Sequence, residues 1–124
     1  MANHPRPKSD NLNLKVAVAT KGSKGLEDEV SEVFGRAKTF TIVETEKGQI
    51  KSAKVVENPA ASYEYGAGPI AIKTLADMGV EVVIGAEFGM GASTLLKDKD
   101  IRAVKVEAGT NVCRAVDNVI KQNE

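Results

Sequence analysis

Two hydrophobic periods alternate along this chain, and together they set out its elements. LKVAVAT, Leu14 to Thr20, is a nearly continuous apolar run of strand length, the pattern of a strand covered on both faces. After a KGSKG loop, Leu26, Val30, Val33 and Phe34 fall at helical spacing and predict a short helix. Glu27, Asp28 and Glu29 crowd its first turn, where the helix dipole favours them, and Gly35 suits its left-handed end. TFTIVETEKGQIKSAKVVEN predicts two strands joined through Glu46-Lys47-Gly48-Gln49, a hairpin with glycine in the turn. Asn58-Pro59 ends the second strand, and ASYEYGAG is a loop. From Gly68-Pro69 a helix runs to Met78, burying Ala71, Leu75 and Met78 and stopping at Gly79. VEVVIGA is a further buried strand, Ala92 to about Lys97 a helix, and IRAVKVE a strand. Asn111 to Lys121 forms the last helix, with Val112, Val116, Val119 and Ile120 inward and Thr110 as its cap.

The resulting order, β-α-β-β-α-β-α-β-α, predicts an α/β domain with helices on both faces of a mixed sheet. The hairpin makes Thr39–Glu44 antiparallel to Ile50–Glu57. The later β-α-β-α-β portion needs right-handed crossovers, so Lys15–Thr20, Val82–Ala86 and Ala103–Val106 run parallel. Such a sheet places ligands outside the carboxyl ends of its strands.

Composition narrows the partners. A length of 124 residues fits one domain, expected over residues 14–124. The segment 1–13 reads as a mobile tail, polar and proline-bearing, and its His4 as incidental. Lysines and arginines total 17 and so do aspartates and glutamates, so no basic excess invites nucleic acid or an anionic membrane. Cys113 is the single cysteine, which rules out an intramolecular disulfide or an all-thiolate metal cage within one chain. No apolar run reaches signal or membrane-spanning length, and the expectation is a cytoplasmic protein, taken as a monomer.

The candidate chemistry lies in glycines. VVIGAEFGMGASTLL, Val82 to Leu96, runs a strand into a helix through Gly85, Gly89 and Gly91. A phosphate-binding P-loop would need Lys-Ser/Thr after its last glycine, and this one has Ala92-Ser93. A dinucleotide fingerprint would end in glycine, where Thr94 stands. What remains is a junction whose backbone amides at Gly89 and Gly91, with Ser93 and Thr94 hydroxyls, can hold an anion, or a corner that merely permits positive φ. Gly66 and Gly68 open the preceding helix in the same way, and the two loops together define an anion pocket if they reach one sheet edge. Phe34-Gly35-Arg36-Ala37 adds a fixed cation with five donors, or a surface arginine beside a core phenylalanine. Tyr63 and Tyr65 either wall the pocket or cover the loop, and Cys113 is either an acidified thiol or a small buried side chain. The expected folded region holds no histidine, so nucleophile–histidine pairs are absent there, and no carboxylate spacing signals metal or acid–base work. A non-enzymatic role is the expectation.

Taken in order, VAVAT, FGRAKTFTIVE, ENPA and GAGPIAIKTLADMGVEVVIGAEFGMGA resemble the dinitrogenase iron–molybdenum cofactor-binding family. The resemblance covers about Leu14 to Ile120. It implies a ribonuclease H-like three-layer α/β/α fold, with a five-stranded mixed sheet containing one antiparallel strand. It implies binding or carriage of the iron–molybdenum cofactor or another metal–sulfur cluster, with a cluster donor or acceptor protein as partner. Carried over by position, the site residues are Phe34, Gly35, Arg36, Gly66, Gly68, Gly89, Gly91 and Ser93. Several members have histidine immediately before the FGR segment, and here that position is Val33, so the metal ligands are unassigned. The alternative is a small-anion or protein-interaction domain of the same fold without a cluster.

Overall fold

The computed structural model describes residues 13–89 and 91–122; the expected tail, apart from Asn13, lies outside them. Five strands form one sheet in the order β3-β2-β1-β4-β5: β1 Lys15–Thr20, β2 Thr39–Glu46, β3 Gln49–Glu57, β4 Val82–Gly85 and β5 Arg102–Lys105. β2 pairs antiparallel with β1 and β3, while β1, β4 and β5 are parallel, as the hairpin and crossover argument requires. At the β2–β3 turn Lys47 and Gly48 both take positive φ, 55° and 81°, the combination that matches the twist of a hairpin.

Side-chain alternation in the strands divides the core into two layers. Ala17 and Ala19 of β1 face a cluster with Phe34, Phe40, Ile72, Leu75 and Leu96, whereas Val16 and Val18 face Val112, Val116 and Val119. Helices α1 Ala67–Asp77 and α2 Ala92–Asp98 cover the first layer, and α3 Val112–Gln122 covers the second. The reason is handedness. The crossovers β3-α1-β4 and β4-α2-β5 move the same way across the sheet, so right-handed connection places both helices on one face. Only α3, which follows the last strand, is free to close the other.

Two expectations are corrected. The predicted helix over Leu26–Phe34 is a single 3-10 turn, Gly25–Glu27, followed by extended chain. Asp28 is the cause: its carboxylate accepts the amides of Gly22, Lys24 and Glu29 at 3.0, 3.1 and 2.8 Å, a local arrangement that competes with a helix. Val30 then bridges to Thr20, and Glu29 to Asn111. Val30 and Phe34 are buried, but Val33 is 42% exposed, so the apparent stripe was never one face. At the last helix the cap is Asn111, whose Oδ1 accepts the amide of Arg114 at 3.1 Å. Thr110 instead donates its hydroxyl to the Glu107 carbonyl at 2.7 Å.

Candidate functional site

Residues 34–37, between β1 and β2, form a tight turn rather than a helix end. The Ala37 amide closes it on the Phe34 carbonyl at 3.2 Å, and the Phe34 amide ties it to the Glu87 carbonyl beyond β4 at 3.1 Å. Phe34 anchors the turn, 1% exposed, with ring centroids 5.4 Å from Phe40 and 5.0 Å from Phe88. Gly35 is glycine for a steric reason, not for the left-handed conformation expected of it. A Cβ there would lie 2.9 Å from the Gly68 nitrogen and 3.0 Å from its Cα. The turn thus sits directly on the start of α1.

The entries to α1 and α2 complete the enclosure. Gly66 and Gly91 precede the two helices with φ of 75° and 87°, where a side chain is strained. Neither helix has a side-chain cap or an acidic residue in its first turn. The amides of Ala67 and Gly68 have no acceptor among the described residues, and Pro69 contributes none. Around this junction lies a cavity of about 440 Å³, within the usual range for small-ligand sites. It stands at the carboxyl ends of β1 and β4, where the strand order reverses, the position at which open α/β sheets bind ligands.

Of the residues singled out in the sequence, Phe34, Gly35, Arg36, Gly66, Gly68, Gly89 and Gly91 all border this cavity. The two glycine loops do reach one sheet edge. Ser93 lies on α2, but the wall reaches Ala92 and Leu95 of that helix and passes Ser93 by. Tyr63 and Tyr65 are exposed and outside the wall, and Cys113 belongs to the opposite layer on α3. The sequence did not single out Glu87, the carboxylate in the wall, or the apolar Leu95, whereas Val33, the position of the family's histidine, does line the cavity. Position after a strand was the signal for Glu87, since any residue there reaches the sheet edge.

Gly68 and Gly89 differ from the other wall glycines. Neither has positive φ, and no described atom lies within 4 Å of where a Cβ would stand. The fold therefore does not require glycine at either place, and their effect is to leave the cavity wall bare. Arg36 is exposed, with no ion pair among the described residues, so its charge is available to a ligand. The described wall offers one guanidinium, main-chain amides, apolar groups and Glu87, with no imidazole or thiolate. No group of three or more metal-ligating side chains occurs among the described residues. This donor set fits an anion that brings its own ligands; it does not fit a bare metal ion.

Gly91 gives a local test of the enclosure. Gly91→Val is expected to cost about 1–3 kcal/mol, because a β-branched residue resists the left-handed conformation. Chemical denaturation would show the loss, and an unchanged midpoint would mean that the loop relaxes without cost.

A three-layer α/β domain with an uncapped, glycine-walled cavity at its switch point is the class the geometry defines. Over residues 14–122 the chain matches the dinitrogenase iron-molybdenum cofactor family, and it belongs to that family. The orange protein of Desulfovibrio gigas, in its apo form, has a similar structure, with 28% identity, 90% of each chain covered and a TM-score of 0.79. A NifB-like protein of Thermotoga is 34% identical, with 89% of this chain and 90% of that one covered and a TM-score of 0.70. An uncharacterised protein of Methanocaldococcus jannaschii is 36% identical over 76 residues, 61% of this chain and 64% of its own length.

Proposed function

We propose that this chain is a non-enzymatic binding or carrier module whose cavity holds an iron–molybdenum-type or related metal–sulfur cluster as an anion. The observation that carries this reading is the bare wall at Gly68 and Gly89, glycines the fold does not need. They allow a bulky ligand to approach the backbone closely. The Arg36 guanidinium neutralises ligand charge and donates in a planar fork, and the free first-turn amides of α1 add short-range donors. Val33 and Leu95 add apolar surface to the wall beside these polar groups. Family membership supports the cluster as cargo, and in the same reading a donor or acceptor protein exchanges it with the chain. The ribonuclease H-like name for the fold belongs to the same reading, supported by the strand order with β2 alone reversed.

One observation favours a second reading, a smaller anion with no cluster: the described wall has no imidazole or thiolate, and valine stands at position 33. The two readings separate in an anaerobic titration with molybdate and with tetrathiomolybdate. The chain has two tyrosines, Tyr63 and Tyr65, and no tryptophan, so tyrosine emission reports a coloured ligand beside Gly66 by energy transfer. Saturable quenching by one equivalent of tetrathiomolybdate, not displaced by molybdate, supports cluster-type cargo; equal competition by molybdate supports the smaller anion. Arg36→Ala is expected to weaken binding about tenfold while changing stability by less than about 0.5 kcal/mol. Binding equal to wild type would remove the arginine from the site.

A further inference from the structure

The turn that carries Arg36 is held from both sides by one buried amide. Asn58, at the exit of β3 and 5% exposed, donates Nδ2–H to the Gly35 carbonyl at 2.9 Å and to the Ala37 carbonyl at 2.8 Å. Those two carbonyls bracket Arg36 in the chain. The Asn58 Oδ1 accepts the Ala60 amide at 3.0 Å, and its backbone amide donates to the Lys38 carbonyl at 3.2 Å. The side chain therefore joins the Arg36 turn to the loop that leads into Gly66.

We infer that Asn58 is a positioning residue that holds the base of Arg36 in the orientation required to meet the anion. The inference rests on the cavity being the ligand site, as proposed above. Arginine loses much rotamer freedom when it is fixed, so a contact made from a mobile turn would be weak. Pinning the backbone on each side of it removes part of that cost before the ligand arrives. The chemistry is specific to asparagine at this reach. Two carbonyls need two donors on one atom, which an amide nitrogen has; aspartate has none and serine one. A purely architectural role, satisfying two buried carbonyls, would use the same bonds, and the two roles differ in their coupling to Arg36.

The test is a double-mutant cycle on the full chain, read as the dissociation constant for tetrathiomolybdate under anaerobic conditions. Asn58→Asp keeps the acceptor for Ala60 and loses both donors to the turn. It is expected to weaken binding about tenfold, as much as Arg36→Ala, and the double variant is expected to bind no more weakly than Arg36→Ala alone. Asn58→Ser, with one donor, is expected to fall between wild type and Asn58→Asp, and it serves if the aspartate variant does not fold. Losses that multiply in the double variant would show that Asn58 acts independently of Arg36. Wild-type affinity in the Asn58 variants, with a lowered thermal midpoint, would leave it a purely architectural residue. If Arg36→Ala itself binds as wild type, the arginine is not in the site and the role given to Asn58 fails with it, while the cavity stands or falls on whether the wild-type chain binds the probe there. That outcome is distinguishable because it needs no Asn58 variant.

Discussion

Gly35→Ala is expected to lower stability by about 1–3 kcal/mol and to abolish tight ligand binding, although it adds a single methyl group to a cavity edge. The added Cβ would meet the Gly68 nitrogen at 2.9 Å, its Cα at 3.0 Å and the Ala67 carbonyl carbon at 3.4 Å. These are backbone atoms at the start of α1, and α1 cannot retreat easily because Ala71, Ile72 and Leu75 are locked into the core. The Phe34–Ala37 turn must then move, against the two Asn58 hydrogen bonds and the buried Phe34 ring. Chemical denaturation measures the loss directly. A midpoint equal to wild type would mean that the turn and α1 do not touch as described.

Gly68→Ala, on the other side of that contact, is expected to have the opposite effect on stability. Its Cβ would meet no described atom within 4 Å, its backbone is not left-handed, and it lies in the first turn of a helix. Alanine there should leave stability unchanged or raise it by up to about 1 kcal/mol. Binding should nevertheless fall by about tenfold or more, equivalent to roughly 1.4 kcal/mol, because the methyl group occupies the bare wall. Gly89→Ala should behave alike, without the helix gain. Denaturation and titration of the same variants give both quantities. Unchanged affinity in both would show that the glycines border empty space without serving a ligand.

The sheet was legible because its signals are local or topological. LKVAVAT and VEVVIGA are too apolar for an exposed strand, Lys47-Gly48 marks a hairpin, and the handedness of crossovers fixes direction for the rest. The segment after β1 was misread because Leu26, Val30 and Phe34 satisfy a helical spacing that Asp28 overrules with three backbone hydrogen bonds. The last cap was misplaced by one residue, since Thr110 and Asn111 are both good caps and only geometry chooses between them.

The site was legible as far as glycine is conspicuous at strand-to-helix junctions. Seven of the eight residues carried over from the family border one cavity; Ser93 does not, nor do the other candidates Thr94, Tyr63, Tyr65 and Cys113. What the sequence hid were roles set by distant contacts. Asn58 reads as a strand terminator, yet its partners at Ala37 and Gly35 lie 21 and 23 residues away. Gly35 reads as a helix stop, yet the constraint on it comes from Gly68, beyond an entire hairpin.

In the proposed function the cavity between the Arg36 turn and the two glycine loops receives an anion, and a map of backbone amide shifts during anaerobic titration with tetrathiomolybdate locates it residue by residue. The predicted result is a saturable response concentrated at Gly35, Arg36, Ala67, Gly68 and Gly89, with β3 and α3 unmoved. A response centred on α3 and Cys113, or none at saturating probe, would mean that the cavity takes no anion and that the glycines are only corners of the fold.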